Sequence, residues 1–320
     1  MGKPRKPVYV EPEPEEAPPP KPSILAKAGK ATLRTFFRPK RLLLLALIPV
    51  FCAVAPVVWK NWPDLDSREV YRLKAADVHI TPPPRPVPSN LVERAVGTAA
   101  LDEELSVLDR TLLPRLADAF AKEPWVKQVV RLRKGLPAHV EVELEYRMPA
   151  AMIDVKQGVY PVDAEGMLLP PEDFSAAEIR RYPLVTGITS LPGGAPGMAW
   201  GETTVIGAAK VAAALAADWD ALGLTSIQAP PPLSANVKLD DLTFELRTRN
   251  GSTVVWGRPP GTGHPGELTV EQKLGRLKQY VADFGPLDAP GPSFEIDIRP
   301  WQEMTRRPLA SARQERFTRQ

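Results

Sequence analysis

Residues 42–59, LLLLALIPVFCAVAPVVW, form an apolar run, and no other stretch constrains the chain as strongly. As a helix rising about 1.5 Å per residue, this run would reach roughly 27 Å, near the lower limit for a hydrocarbon core of about 30 Å. The two flanks differ in charge. Upstream, Lys27, Lys30, Arg34, Arg38, Lys40 and Arg41 meet no acidic residue after Ile24, whereas downstream Lys60, Arg68, Arg72 and Lys74 are mixed with Asp64, Asp66 and Glu69. The expectation is one transmembrane helix (34–62 with its flanks, span about 42–59) with the amino terminus in the cytoplasm, the lipid bilayer as a partner, and Trp59 and Trp62 at the interface. Pro49 and Pro56 predict a kink. A cleaved signal peptide is the competing reading, because Ala53, Val54 and Ala55 make an A-x-A-like site. Against it stand a basic leader of about forty residues and Pro56 directly after the cut.

The chain has 320 residues and a net charge of +3. Residues 1–41 hold ten Lys/Arg against four Glu, or +6, which leaves the remainder at −3. The basic balance is therefore local, and no nucleic-acid partner follows from it. The only cysteine, Cys52, lies inside the apolar run, so everything downstream must be stabilised without disulfides or cysteine-held metal. Residues 1–33 form a Pro-rich basic tail, disordered with polyproline II character. Residues 303–320, with Arg306, Arg307, Arg313, Arg316 and Arg319, read as a second disordered, solvated tail.

After a short strand at Val78 to Ile80 and a Pro-rich stretch, Asn90 and Glu93 resemble a capping box. Leu105, Leu108, Leu112, Leu116 and Phe120 recur at helical spacing, and Pro114 either kinks one helix or opens a second. Two alternating segments follow. Val126, Val130 and Leu132 share one face of the first, and Val140, Val142, Leu144 and Tyr146 share one face of the second, which predicts a hairpin. Lys127, Arg131 and Arg133 then oppose Glu141, Glu143 and Glu145, a charge row that fixes register rather than a phosphate-binding patch.

Pro124-Trp125-Val126, the basic strand through Arg131, Leu136-Pro137, a strand ending at Glu145 and the Arg147-Met148-Pro149-Ala150 continuation resemble the POTRA domain of the FtsQ/DivIB family of bacterial cell division proteins. Residues 161–168 (PVDAEGML) and 182–187 (YPLVTG) are similar to that family's next elements. Further on, residues 242–248 alternate and pair with 252–256 across Asn250-Gly251, a strong hairpin signal. Thr269 and Gln272 then cap a helix near Lys273, with Val270, Leu274, Leu277, Val281 and Phe284 as its buried face and Gly285 as its stop. Ile296-Asp297-Ile298-Arg299 fits the family's final strand. The resemblance covers about residues 34–302. The departures are the Pro-rich insert at 81–88, the loop at 257–266 and Pro300.

The resemblance implies an α+β chain: a disordered tail, one transmembrane helix, a POTRA domain (β-α-α-β-β) at 68–150 and a second, mixed α/β domain of the FtsQ type at 151–302. It implies a non-enzymatic divisome scaffold of the inner membrane, found at the division site, with its carboxy terminus extracytoplasmic. Its partners would be FtsB/FtsL-like bitopic proteins and septal cell-wall synthesis proteins. The edge-strand residues Phe294, Glu295, Ile296, Asp297, Ile298 and Arg299 would add a partner's strand, up to Pro300, which lacks a donor. An alternative is an envelope protein that binds extended polypeptide in outer-envelope assembly or transport, as other POTRA domains do. Neither reading calls for a nucleic acid, a small-molecule substrate, a cofactor, a metal or a catalytic residue. His79, His139 and His264 match no metalloprotease spacing, and the glycines at 257, 261, 263 and 266 lack the lysine of a phosphate loop. Asp163 and Glu165 read as turn residues before Gly166.

Overall fold

The computed structural model describes residues 39–60, 69–98, 105–231 and 237–309, with backbone alone at 39–47 and 59. The expected tail at 1–33, Trp62 and residues 310–320 lie outside the described residues. The chain divides into two units, residues 1–64 and 65–320.

In the first unit, α1 (Pro39–Lys60) is a 22-residue helix with Pro49 and Pro56 inside it. The expected transmembrane span is corrected here: among the described residues no helix is long and apolar enough to cross a membrane. Pro49 and Pro56 each remove a backbone donor from the interior of α1. Ile48, Val50, Phe51, Val54, Val57 and Val58 are exposed along it.

The second unit is α+β. It opens with β1 (Arg72–Leu73), β2 (Val78–Ile80), α2 (Leu91–Thr98), β3 (Leu105–Ser106), α3 (Leu112–Ala121), β4 (Val126–Gly135) and β5 (His139–Tyr146). β1 pairs with β3, and β2, β5 and β4 form a three-stranded sheet in that order. Pro114 stands in the first turn of α3, so it opens a helix instead of kinking one. Leu112, Leu116 and Phe120 are buried on α3, whereas Leu105 belongs to β3 and Leu108 is exposed.

The β4–β5 hairpin pairs Arg131 with Glu143 and Arg133 with Glu141, and Lys127 reaches Glu145 at 3.5 Å. The expected face of β4 needs correction. Bulges at Val126/Gln128 and Val129/Arg131 shift the alternation, so Val129 packs against the core and Val130 is half exposed.

The remaining elements are β6 (Pro149–Val155), β7 (Gly158–Asp163), α4 (Ala176–Ile179), β8 (Leu184–Thr186), α5 (Thr203–Leu215), β9 (Leu224–Gln228), β10 (Phe244–Thr248), β11 (Thr253–Gly257), α6 (Val270–Phe284), β12 (Phe294–Asp297) and β13 (Thr305–Pro308). They build a mixed eight-stranded sheet in the order β13-β12-β11-β10-β9-β8-β6-β7. The β10–β11 turn is fixed by Asn250, whose Oδ1 accepts from Ser252 N at 3.0 Å and Thr248 Oγ1 at 2.6 Å, while Gly251 takes φ +88°. β13 corrects the expected solvated tail: its residues are exposed, yet they pair antiparallel with β12.

Two apolar cores flank this sheet. Ala151, Ile153 and Val155 of β6 join one core, with α5, α6 and Trp200, Trp219, Phe244 and Trp256. Met152, from the opposite face of the same strand, joins the other, with Trp125, Phe120, Val140, Leu169 and Phe174. Burial on both faces explains the unbroken apolar start of β6. It also makes the strand at the 150/151 boundary a shared wall between the two cores.

Helix α5 approaches the sheet closely because its inward positions are small. A methyl at Gly207 would stand 2.8 Å from the Phe244 ring. Gly207→Ala is therefore expected to lower stability by about 1–3 kcal/mol, as overpacking does, in a urea titration. The junction itself is polar: Asp163, 1 % exposed, accepts from Arg147 Nη1 at 2.8 Å, from Met167 N at 2.9 Å and from Glu165 N at 3.0 Å. Asp163→Ala strands the half-buried Arg147 and is expected to cost about 3–5 kcal/mol in the same titration.

Candidate protein-interaction surface

Helix α6 starts at a capping box, with Gln272 N donating to Thr269 Oγ1 at 3.3 Å and Thr269 N donating to Gln272 Oε1 at 2.9 Å. Its most buried residues are Lys273, Leu277 and Tyr280. The expected face is rotated accordingly: Val270, Leu274 and Val281 are half-buried and Phe284 is exposed. A lysine and a tyrosine were passed over because hydropathy spacing ignores how their long apolar stems pack.

Lys273 lies 5.0 Å over the Trp256 ring, and its ammonium donates to Glu267 at 2.5 Å and to the Arg258 carbonyl at 3.0 Å. Glu267 also accepts from the Arg258 backbone N–H at 3.1 Å. Burial pushes the Glu267 carboxyl up, but the hydrogen bonds and charge of Lys273 and Arg258 outweigh it and hold the group below the usual carboxylate range. Burial pushes the Lys273 ammonium down. These residues border an open cavity of about 320 Å³ beside the 257–266 loop, together with His264 and Thr262. Here the loop's role is to cover the start of α6.

β12 follows α6 and runs parallel to β11, pairing Thr253 with Glu295, Val254 with Ile296 and Val255 with Asp297. Ile296 and Ile298 are buried, whereas Glu295 and Asp297 are half-buried and Arg299 is exposed, so the two faces separate as their spacing predicts. Phe294 lies on the Ile296 face. Arg299 folds back on Asp297 with contacts of 2.7 and 2.9 Å, and these bonds outweigh burial to hold the Asp297 carboxyl low. The expectation that residues 294–299 offer a free outer edge is corrected, because β13 occupies that edge. Sequence reading missed β13 because TRRP has no apolar alternation. The available signal was chemical: arginine and proline are what an outermost strand carries.

The motif residues near the hairpin lie elsewhere and organise the packing. Trp125 is fully buried, stacks on Phe174 at 5.6 Å, and donates from Nε1 to Asp173 at 2.7 Å. Arg94 joins Glu123 at 2.9 Å and Asp173 at 3.4 Å. Burial raises the Glu123 carboxyl against the pull of Arg94. Val126 is buried and Pro124 abuts Gly197, whose φ of +91° lets the backbone pass close. Arg131 and Glu145 are exposed, and Pro137 lies in the hairpin turn. The structure does not bring these residues together with residues 294–299 in one site. No family model matches this chain, and no curated protein matches it. What can be said of its work rests on the residues themselves.

The Glu267 carboxyl titrates low in the folded state, so the unfolded chain binds more protons near pH 4, and stability falls as pH drops through that range. Glu267→Gln leaves Lys273 buried without its counter-charge. The variant is expected to be about 3–5 kcal/mol less stable than the native chain at pH 7. That gap should narrow toward pH 3 in urea titrations at a series of pH values.

Proposed function

We propose that this protein is a non-enzymatic scaffold of bacterial cell division of the FtsQ/DivIB kind. It works at the inner membrane on the extracytoplasmic side and gathers FtsB/FtsL-like division proteins and septal cell-wall synthesis proteins. The observation that carries the reading is the ordered run of motifs from Pro124-Trp125-Val126 to Ile296-Asp297-Ile298-Arg299. It is supported by the roles those residues have in the fold: Trp125 is a core anchor beside the shared wall, and Ile296 and Ile298 seat the penultimate strand of the large sheet. It is also supported by the state of the buried charges, since Asp163, Glu267 and Lys273 each engage neighbouring groups of the chain. Such groups hold a shape. Scaffolding needs surfaces presented at fixed spacing, and a stiff sheet with two cores provides them.

Live imaging of the full chain, fused at its amino terminus to a fluorescent protein, tests the reading. Concentration at the constriction during division is the expected outcome. A uniform envelope signal through the whole cycle would sink the proposal and favour envelope assembly.

A further inference from the structure

The Pro-rich segment at 82–88, a departure from the family pattern, is tied into the fold at both ends. Ahead of it, Thr81 N donates to Val142 O at 3.0 Å, Tyr146 Oη donates to Thr81 O at 2.5 Å, and Thr81 Oγ1 accepts from Leu144 N at 3.0 Å. At its far end Val87 N donates to Pro84 O at 2.9 Å, and the Val87 side chain is buried. Proline restricts the backbone between these ties, so the segment is a preformed wall. Arg85, within it, is exposed.

Together with the α4 segment, residues 175–182, this wall lines an open cleft of about 630 Å³, a volume typical of ligand sites. Pro86, Val87 and Ala177 give the cleft its apolar lining and Tyr182 its aromatic one. The Tyr182 ring stands edge-on to Phe174 at 6.3 Å, and Phe174 stacks on the buried Trp125, so the core sets its place. The polar groups are unbalanced. Glu178, the one acidic lining residue, already accepts from Ser175 N at 2.8 Å and from Ser175 Oγ at 2.6 Å. Asp173, just before this segment, is engaged by Arg94 and Trp125. Arg85, Arg181 and the Tyr182 hydroxyl make no hydrogen bond or ion pair among the described residues. Burial pushes the Tyr182 hydroxyl up, so it remains a donor at neutral pH. Two arginines against one glutamate leave the cleft a net charge of +1 and three donor groups without acceptors.

We propose that this cleft binds an acidic, proline-containing peptide segment of another protein. Arg85 and Arg181, from the two walls, take its carboxylates in bidentate hydrogen bonds, and Tyr182 Oη donates a further one. The extended backbone of the segment lies along Pro86, Val87 and the Tyr182 ring, as proline-rich chains lie on aromatic-lined grooves. A bare anion would leave the apolar lining unused, and a neutral peptide would leave both guanidiniums without acceptors. The inference goes beyond the scaffold reading and stands whatever process the partner serves.

The test is fluorescence anisotropy of the full chain with a fluorescein-labelled peptide, Ala-Pro-Glu-Glu-Pro-Ala, at about 0.15 M salt, where loose charge attraction is screened. The native chain should bind it about tenfold more tightly than the analogue with Gln-Gln at the centre, the difference that charge-assisted hydrogen bonds make. Arg85→Glu and Arg181→Glu should each weaken binding about tenfold or more, and Tyr182→Phe about threefold, with near-ultraviolet circular dichroism unchanged. Carried together, the two glutamate substitutions should reverse the preference toward a peptide with Lys-Lys at the centre, which a folding defect would not do. Arg249→Glu, on the exposed side chain of the β10–β11 turn, should bind as the native chain does. A native chain that binds neither peptide, or both equally, would overturn the proposal. So would cleft variants that bind like native, or inorganic phosphate displacing the probe as well as unlabelled peptide does, since the cleft would then hold a simple anion. Vesicles of anionic lipid bound in place of the peptide, and lost in the same variants, would assign the cleft to a membrane surface and overturn it too. Imaging at the division site bears on the scaffold reading alone, and the peptide titration on the cleft alone.

Discussion

The Asp163 carboxylate is the constraint on which the rest of the second unit depends. Its oxygens are taken up by Arg147, just after the β5 strand, and by the amides of Glu165 and Met167, which turn the chain out of β7. A buried charge left without these partners costs several kcal/mol, so the end of one sheet and the edge of the other must be positioned together. That fixes β6 between the two cores, with Met152 on one side and Ile153 on the other. The placement of α5 follows, because Gly207 and the alanines on its inward side let the helix backbone come close to the sheet.

Much of this was legible in the sequence where local chemistry and tertiary demand agree. The β4–β5 charge row predicted a register that the pairs Arg131–Glu143 and Arg133–Glu141 reproduce, because opposite charges across a ladder have one alignment. Asn250-Gly251 and Thr269/Gln272 announced a turn and a cap, since each motif satisfies its own backbone groups within a few residues. Local closure of hydrogen bonds is readable because nothing distant is needed to complete it.

The misses have the opposite cause. Val130 was placed inside by strict alternation, but two bulges shift the strand, and no local signal marks them. Tyr280 and Lys273 became core residues through contacts with partners far along the chain: Arg306 stacks over the Tyr280 ring, and Lys273 lies against Trp256 and the Arg258 carbonyl. β13 was invisible for the same reason, as its pairing is decided by the vacant flank of β12 and not by its own propensity. The apolar run at 42–59 shows a different limit. Hydropathy measures composition along the chain, and among the described residues no helix is both long and apolar enough to turn that composition into a span.

The order of strands in the large sheet has a further consequence. Read from one edge to the other, β7, β6, β8, β9, β10, β11, β12 and β13 follow the chain with a single exchange at the start. Each strand from β9 onward is laid beside the one synthesised just before it. A sheet of this kind accretes like a wall built from one end, so sequence separations between neighbours stay short and no early strand waits for a distant mate. The last piece added is also the least buried. A chain whose synthesis stopped short of β13 would lose Arg306 from over Tyr280 and Phe294 but keep the apolar packing of its two cores, and would carry an open edge in place of a finished one.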